Sequence, residues 1–369
     1  MSIRIVPDVN YLANWWWWGF SSASFAGLTP TFKIAKAAYY QALDADYRYA
    51  CYSTAMDSDT WVEFGTPTIG ATDIEIAPAS ALPSGTLFFC HMPAYPFSRT
   101  TRKMVEWLAH DYVSDTTSST NGVIGTSTER ANVIDTRTNP ALPFYGFKIS
   151  KPSENTKNKA ILTGGNHPGE SIARFVLEAS IDWLLGGSAE AESLLDWFDF
   201  YVYPCVNPQG VWGGFYRSCP ESYTIDHNRQ WHTTGTLEDV DAFKTAMAAD
   251  TGADIAVGMD YHCSNTTGIK ADYQIVRSDG DAVHQAFQTA MRTMSEESDF
   301  EMHQSELLGM LPYLWNEDYN TGTNLKISIS AEVTNKIATG VSHFTVYGQG
   351  LMKALLVLLL DDVFTNHPA

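Results

Sequence analysis

The stretch KAILTGGNHPGESIARF, residues 159–175, is typical of an apolar strand, a Gly-Gly turn and the first turns of an amphipathic helix. His167 and Glu170 lie in the turn, three residues apart, so we expect their side chains to project the same way. An imidazole and a carboxylate placed in this way can bind one cation, and zinc accepts both ligand types. One further protein ligand is needed, with a water in the remaining position.

Strands and helices alternate on both sides of this stretch, from about residue 143 onward. This alternation predicts an α/β domain with a mixed or mostly parallel sheet flanked by helices. In such a sheet the functional groups gather beyond the carboxyl ends of the strands. The predicted strands contain FYGFKIS, KAILTGG, FDFYVYPCVN, DIAVGMDYHC and LKISISAEV; the predicted helices contain SIARFVLEASIDWLL, VDAFKTAMAAD, DAVHQAFQTAMRTMS and the stretch from about Phe344.

The first 90 residues show a different pattern, with short aromatic or β-branched runs separated by Gly, Pro, Ser and Asp. Strands of this kind in series predict a small antiparallel β-sandwich domain over residues 1–92. The pattern changes near residue 95, and residues 93–369 form the predicted α/β domain, beginning with a helix over Thr100–Asp111. We interpret the aromatic run Trp15–Trp18 as sandwich core or domain interface rather than as a binding platform.

The third ligand is expected at the end of another strand, and DIAVGMDYHC ends at such a position with His262. The HxxE spacing alone is weak evidence, because His303 and Glu306 repeat it in the polar segment DFEMHQSELLG. No predicted strand precedes that second match, so we interpret it as solvated surface. Asp260, two residues before His262, either orients that histidine or packs in its strand.

Five segments of the chain occur in an order that resembles the zinc carboxypeptidase family (peptidase family M14). That family has His₂Glu zinc ligands, which the resemblance assigns to His167, Glu170 and His262 with Zn²⁺ as the cofactor. The resemblance implies a mixed sheet flanked by helices and the hydrolysis of peptide C-termini. The segments are HPGE at 167–170, NPQG at 207–210, DHNR at 226–229, DYH at 260–262 and ISAE at 329–332.

The resemblance also implies roles for residues outside the metal ligands. Glu332 corresponds to the catalytic glutamate that accepts a proton from the attacking water. Arg217 corresponds to the arginine that stabilises the oxyanion, and Asn228 with Arg229 to the pair that binds the substrate's free C-terminal carboxylate. Tyr313 and Tyr319 are candidates for a tyrosine that closes over the substrate. In the same region we interpret Glu317 as an acidic residue of an exposed loop, rather than as a residue that selects substrates with basic side chains.

Two motifs depart from the family pattern, with Gln209 where Asp is common and Ala331 where a larger residue is frequent. The β-rich segment before the catalytic domain resembles the cytosolic carboxypeptidases within the same family. Some of those enzymes trim glutamates from protein tails, but the formal charge of −19 does not favour a polyglutamate substrate.

Composition and charge limit the kinds of partner that this chain can bind. With 42 acidic and 23 basic residues, nucleic acid is disfavoured as a partner, because its binding needs clustered Lys and Arg. An anionic membrane surface is disfavoured as well. The apolar run Leu351–Leu360 is too short to span a bilayer, so we expect a buried helix. We expect a cytoplasmic location, because no signal peptide is evident and five irregularly spaced cysteines do not form a disulfide framework, although Cys205 and Cys219 could pair.

Two other functions compete with a carboxypeptidase. A deacylase of the aspartoacylase or succinylglutamate desuccinylase type shares the zinc ligands and the glutamate but acts on small N-acyl amino acids. A binding protein with an inactive carboxypeptidase fold is the non-enzymatic alternative.

Overall fold

The protein is described by a computed structural model that covers most of the chain. The described residues are 2–5, 19–35, 51–65, 68–90, 92–131, 137–153, 156–215, 217–220, 225–232, 235, 237–252, 255–264, 273–276, 282–294, 301–304, 325–334, 341–361 and 363–364. The aromatic run Trp15–Trp18 therefore lies outside the described residues.

The N-terminal strands form two four-stranded sheets. One sheet has the order β1-β3-β7-β6 and the other β2-β8-β4-β5, and every pair is antiparallel except β1 with β3, which is parallel. The strands are β1 Ser2–Ile5, β2 Gly19–Ser22, β3 Thr31–Ala35, β4 Cys51–Ser53, β5 Val62–Glu63, β6 Thr68–Ile69, β7 Asp73–Ile76 and β8 Leu87–Cys90.

Aromatic side chains fill the space between these two sheets. Phe32 of β3 stacks on Phe64 with ring centroids 4.3 Å apart and meets Phe89 of β8 edge-on at 5.2 Å. All three rings are buried, so each sheet contributes to one apolar core, as the predicted sandwich requires. The end of this region at residue 92 stays a prediction.

The C-terminal region contains seven helices, two short ribbons and one large sheet among its described residues. The helices are α1 Phe97–Leu108, α2 Ser171–Leu184, α3 Ala189–Leu195, α4 Pro208–Gly213, α5 Glu238–Thr251, α6 Ala282–Met294 and α7 Val341–Leu360. The strands are β9 Val113–Ser114, β10 Val123–Thr126, β11 Arg130–Ala131, β12 Thr138–Asn139, β13 Pro143–Tyr145, β14 Phe147–Ile149, β15 Asn158–Gly164, β16 Phe198–Tyr203, β17 Val257–Ser264, β18 Tyr273–Val276, β19 Glu301–Gln304 and β20 Ile327–Thr334.

The large sheet has eight strands in the order β19-β18-β20-β17-β15-β16-β14-β9. Its centre, from β20 through β17 and β15 to β16, is parallel. At one side β14 pairs antiparallel with both β16 and β9. At the other side β18 pairs antiparallel with β20 and parallel with β19. One apolar cluster joins the sheet to α1, α2, α3, α6 and α7, and a second joins it to α5. The predicted mixed sheet flanked by helices, preceded by a small β region, is confirmed.

Several boundaries differ from the prediction. The helix expected over Thr100–Asp111 spans Phe97–Leu108, because Pro96 supplies an extended N-cap. The polar segment that carries His303 contributes the edge strand β19, which its low apolar content did not indicate; the side chain of His303, and all of Glu306, lie outside the described residues.

The helix α7 is apolar overall, most strongly in its second half. Among the described residues it is the one helix long and apolar enough to cross a membrane, over His343–Leu360, and 61% of that window is buried inside the protein. It packs against α2 and α6, as core helices of globular proteins do. The predicted buried C-terminal helix agrees with this packing.

The parallel centre of the sheet brings three chain segments to one edge. The turn containing His167 follows β15, and His262 of β17 is in direct register with Glu332 of β20. Partners in register on neighbouring strands point to the same face of the sheet, and because β15, β17 and β20 are parallel their carboxyl ends lie together. The topology therefore gathers the His167 turn, His262 and Glu332 at the carboxyl end of the sheet.

Candidate metal centre

The turn between β15 and α2 is compact, because two glycines allow a sharp change of direction. Gly165 has a φ of +75°, a conformation that residues with a Cβ rarely adopt, and a Cβ at Gly164 would lie 2.9 Å from the Leu177 side chain. The Glu170 N–H donates to the His167 carbonyl at 3.1 Å. This one-turn closure directs both side chains to the same side.

His167, Glu170 and His262 come together as one buried cluster. Each histidine directs its Nδ1 atom at a different oxygen of Glu170, His167 to Oε1 at 2.8 Å and His262 to Oε2 at 2.9 Å. The candidate ligand atoms all lie within 4.8 Å of one another, and within the described part of the chain this is the only group of His, Cys, Asp or Glu that could hold a metal ion. The two segments that the sequence analysis paired are thus adjacent in space.

The opposite edge of each histidine contacts a second carboxylate. His167 Nε2 lies 3.0 Å from Asp226 Oδ1, and His262 Nε2 lies 2.7 Å from Asp260 Oδ2. Histidines that bind metals commonly donate their outer N–H to a carboxylate, which directs the inner nitrogen at the ion. The donor set and its surroundings therefore fit a zinc ion held by two Nδ1 atoms and the Glu170 carboxylate.

Asp226 and Asp260 each contact one of the two histidines. Asp260 contacts His262 Nε2, as an orienting role requires, and it is also buried within β17. Asp226 belongs to the DHNR segment but was not assigned a role; its only sequence signal is an acidic residue two positions before the asparagine and three before the arginine. Its contact with His167 joins segments 59 residues apart, so no local pattern indicates it.

Electrostatics in the cluster are dominated by these pairings. Burial raises the pKa of the Glu170 carboxyl, but the charges of His167 and His262 outweigh this effect and hold that pKa well below its ordinary value. Burial lowers the pKa of His262, yet Asp260 and Glu170 raise it well above its ordinary value. The carboxylates thus concentrate negative charge where a cation would bind.

Glu332 and Arg217 border the same cluster. Glu332 is 9% exposed; burial first, and then the charge of Glu170, raise its pKa to about 8 against the lowering effects of His262 and Arg217. Arg217 Nη1 lies 3.3 Å from Glu170 Oε1, and its Nε and Nη2 donate to Asp226 Oδ2 at 3.1 and 2.9 Å. One acidic and one cationic group therefore face the candidate metal position.

The loop that carries Arg217 is anchored by the NPQG segment. Asn207 caps α4, accepting from the Gly210 N–H at 2.9 Å, and its Nδ2 donates to the Ser218 carbonyl at 3.0 Å. Gln209 donates to the Thr128 and Pro140 carbonyls at 2.8 and 2.9 Å, so the departure at this position ties α4 to the preceding loops.

Asn228 and Arg229 belong to a short 3-10 helix, His227–Arg229, that begins at Asp226. The amide Nδ2 of Asn228 lies 3.4 Å from His262 Nε2, so Asn228 borders the cluster. Arg229 follows it directly in the same short helix. Tyr313, Glu317 and Tyr319 lie outside the described residues.

A cleft of about 400 Å³ opens beside the turn between His167 and Glu170. Four aromatic side chains and two arginines line it, together with small and aliphatic residues. Its walls come from the N-terminal β region, the start of α1 and the end of α4, and include Met56, Tyr95, Phe97, Arg174, Trp212 and Phe215. All five cysteines are buried and none is in a disulfide, so the considered pairing of Cys205 with Cys219 does not form.

Comparison with known proteins agrees with this geometry. The zinc carboxypeptidase family profile matches residues 128–330 of this chain. Cytosolic carboxypeptidase 3 from Bos taurus is 40% identical over 79 residues, which are 21% of this chain and 8% of the relative. Cytosolic carboxypeptidase 2 from Xenopus tropicalis is 34% identical over 110 residues, which are 26% and 11%. The chain thus spans about one tenth of the length of these curated relatives.

Two bacterial structures share the fold along almost the whole chain. A metallo-carboxypeptidase from Burkholderia cenocepacia superposes with a TM-score of 0.73 at 17% identity, covering 94% of this chain and 90% of that one. A metallo-carboxypeptidase from Pseudomonas aeruginosa, in complex with (2-guanidinoethylmercapto)succinic acid, gives 0.73 at 16% identity, covering 98% and 94%. These two structures show a shared fold, and the profile match over more than half of its length shows that the chain belongs to the zinc carboxypeptidase family.

Proposed function

We propose that this protein is a zinc metallocarboxypeptidase that hydrolyses C-terminal residues from peptides or protein tails. The observation that carries the proposal is the buried cluster of His167, Glu170 and His262, with Glu332 and Arg217 at its border. Family membership supports the same reaction class. Its location is proposed to be cytoplasmic, as the names of the curated relatives suggest.

The proposed zinc site uses the two Nδ1 atoms and the Glu170 carboxylate. When bound, zinc lowers the pKa of a water toward about 7 and polarises a carbonyl oxygen. Asp226 and Asp260 hold the histidine rings with their Nδ1 lone pairs directed inward. The Cys263 backbone N–H donates to Glu170 Oε2 at 2.9 Å and restricts rotation of that carboxylate.

Glu332 is the proposed general base. Its carboxylate accepts a proton from the attacking water and returns it to the leaving amine as the peptide bond breaks. A buried carboxyl with a raised pKa suits this exchange, because proton transfer in both directions is efficient when the pKa lies near the working pH.

Arg217 is proposed to stabilise the oxyanion that forms on the attacked carbonyl. Its guanidinium stays beside the metal ligands because Asp226 holds two of its nitrogens. Asn228 and Arg229 are proposed to bind the substrate's free carboxylate, for which a planar guanidinium offers two parallel donors. Tyr313 and Tyr319 stay predicted substrate contacts. The proposed catalytic domain is residues 93–369, and the proposed N-terminal domain residues 1–92.

The test is a digest of peptides with varied C-terminal residues, each with a free or an amidated C-terminus, followed by mass spectrometry. We expect single residues to leave free C-termini, little cleavage of amidated peptides, loss of activity with a zinc chelator and recovery on adding zinc. Equal cleavage of free and amidated peptides would refute exopeptidase specificity.

The same assay separates the competing functions. A deacylase would instead hydrolyse N-acyl amino acids, which form a second substrate panel; the family profile and the curated relatives do not favour it. An inactive binding protein would cleave neither panel with zinc present, an outcome disfavoured by the presence of three ligand residues and the Glu332 carboxylate in one cluster.

A further inference from the structure

A network of buried polar groups extends behind His262, away from the candidate metal position. Asn166 is fully buried, and its Nδ2 donates to Asp260 Oδ2 at 2.7 Å, the same oxygen that contacts His262 Nε2. The Asn166 Oδ1 atom accepts from Trp231 Nε1 at 2.9 Å and lies 3.1 Å from His227 Nδ1. None of these contacts reaches the metal ligand atoms directly.

The orientation of the Asn166 amide is determined from both sides. The indole of Trp231 can only donate, so the atom facing it must be the amide oxygen. Asp260 Oδ2 accepts from the atom facing it, so that atom must be the amide nitrogen. Since Oδ1 is an acceptor, His227 must carry a proton on Nδ1.

His227 connects this polar network to the start of α5. Its Nε2 lies 3.2 Å from Asp239 Oδ2, a close contact with a carboxylate whose angles do not meet those of a hydrogen bond. His227 and Trp231 are completely buried and Asp239 is 6% exposed. Burying so many polar groups is costly unless they are paired. This cost favours a specific purpose for the polar network.

Asp260 is the group that the polar network holds in place. Its Oδ1 accepts from the Thr163 hydroxyl at 2.9 Å, while its Oδ2 is shared between Asn166 and His262. A carboxylate held on both oxygens has little freedom to rotate. Because it contacts His262 Nε2, it determines the rotation of that ring and keeps its proton on Nε2, which leaves the Nδ1 lone pair for a metal.

We propose that Asn166 and His227 are positioning residues for the metal centre, acting through Asp260 on His262. The proposal rests on the proposed function, since it assumes that His262 binds zinc. Asn166 orients Asp260, and His227 with Trp231 orients Asn166. The residue preceding the HPGE turn and the second residue of DHNR thereby acquire a role in zinc affinity.

The test measures zinc affinity by competition with a chromophoric chelator in the full-length protein. Asn166→Asp keeps the size of the side chain and the acceptor for Trp231 but replaces the donor to Asp260 with an acceptor. We expect about tenfold weaker zinc binding for this variant and for Asn166→Ala, the lower end of the range for partners of metal ligands. With zinc saturating, KM for a peptide should change less than twofold.

Asn139→Ala is the matched control, because Asn139 is also fully buried but makes no side-chain hydrogen bond within the described part of the chain. Its zinc affinity should equal that of the wild type. Folded Asn166 variants that retain the wild-type zinc affinity would overturn the proposal.

A second pair of variants keeps the test decisive where an Asn166 variant does not fold. His227→Asn places an amide donor near the former Nδ1 position, whereas His227→Leu removes the donor. We expect weaker zinc binding for His227→Leu than for His227→Asn, and equal affinities would contradict the role of His227.

A double-mutant cycle identifies the route of the effect. In an Asp260→Ala background, adding Asn166→Ala should cause less than a twofold further loss of zinc affinity, because both changes remove the same support. A full additional tenfold loss would show that Asn166 does not act through Asp260. Wild-type protein that binds no zinc would instead refute the proposed function, and is distinguishable because it does not depend on any variant.

Discussion

Glu170 is the residue at which the contacts of the metal centre converge. One carboxylate oxygen contacts His167 and Arg217, and the other contacts His262 and the Cys263 backbone N–H. The side chain is 3% exposed, so its charge must be compensated locally. Glu332 differs in kind, because its interactions with the cluster, within the described residues, are electrostatic rather than hydrogen bonds, so its carboxylate can serve chemistry instead.

Glu332→Gln separates these two roles. The amide keeps the shape of the side chain but cannot accept and return a proton, so we expect kcat to fall by about 10²–10⁴ while zinc binding stays within twofold of wild type. Steady-state hydrolysis of a free peptide and metal analysis of the dialysed protein provide the two measurements. A fully active variant would remove Glu332 from the mechanism.

At the scale of elements, hydrogen bonds join the beginning of α5 to the loop that precedes β11. Glu238 accepts from the Thr128 N–H at 3.0 Å and from the Thr128 hydroxyl at 2.9 Å, and it pairs with Arg130. Burial raises the pKa of Glu238, but the hydrogen bonds from Thr128 and Arg130 lower it more, so the net pKa lies below its ordinary value of 4.5.

This pKa shift predicts a pH-dependent contribution to stability. A carboxyl whose pKa is depressed in the folded state stabilises the fold above its unfolded pKa, and the contribution is lost as the pH falls through the folded value. Glu238→Gln should therefore lower the free energy of unfolding at pH 7 by up to about 1 kcal/mol. The difference from wild type should shrink as the pH drops below 4.5.

Urea denaturation at several pH values measures this difference. Glu129→Gln is the control, because Glu129 is exposed and has no hydrogen bond within the described residues. A deficit of Glu238→Gln that stays constant down to pH 3 would show that the charge of Glu238 is not responsible.

At the scale of the whole molecule, Arg99 links the N-terminal β region to the α/β region. Its guanidinium donates twice to Glu178 of α2, at 2.9 and 2.6 Å, and also contacts Asp59 Oδ1 at 2.5 Å and the Asp57 carbonyl at 3.0 Å. It lies 4.7 Å from the centre of the Phe175 ring. Arg99 is 2% exposed, so one buried cation joins three segments.

Arg99→Ala should destabilise the protein by about 3 kcal/mol, since removing one member of a buried pair leaves the other charge without its partner. The value is at the lower end of the usual range because Lys103 Nζ, 3.5 Å from Glu178 Oε1, compensates in part. Equilibrium urea unfolding provides the measurement.

Arg102→Ala is the matched control on the same helix. Its side chain is 42% exposed and pairs with Glu106 at 2.9 Å, so its loss should cost less than about 1 kcal/mol. Equal losses for the two variants would mean that burial of the Arg99 pair has no special weight.

Much of the fold and part of the site follow from local patterns. The alternation of strands and helices after residue 143 predicted the mixed sheet, because burial on one face imposes a period on the sequence. The Gly-Gly turn before HPGE predicted that His167 and Glu170 project together. The edge strand β19 was missed because an edge strand needs few apolar residues, and the parallel pairing of β1 with β3 because nothing in a short strand specifies the direction of its neighbour.

By itself, the sequence determined which residue types stand at the ends of which strands, and that was sufficient to nominate His167, Glu170 and His262, whereas Glu332 was nominated by the family resemblance. Only the tertiary structure decided that Asp226 contacts His167 and that Asn166 contacts Asp260, pairs 59 and 94 residues apart. The physical reason is that a hydrogen bond depends on a distance of about 3 Å and a direction. A sequence pattern specifies these within one turn of a helix or along one strand, but not between segments that meet only when the sheet closes around them.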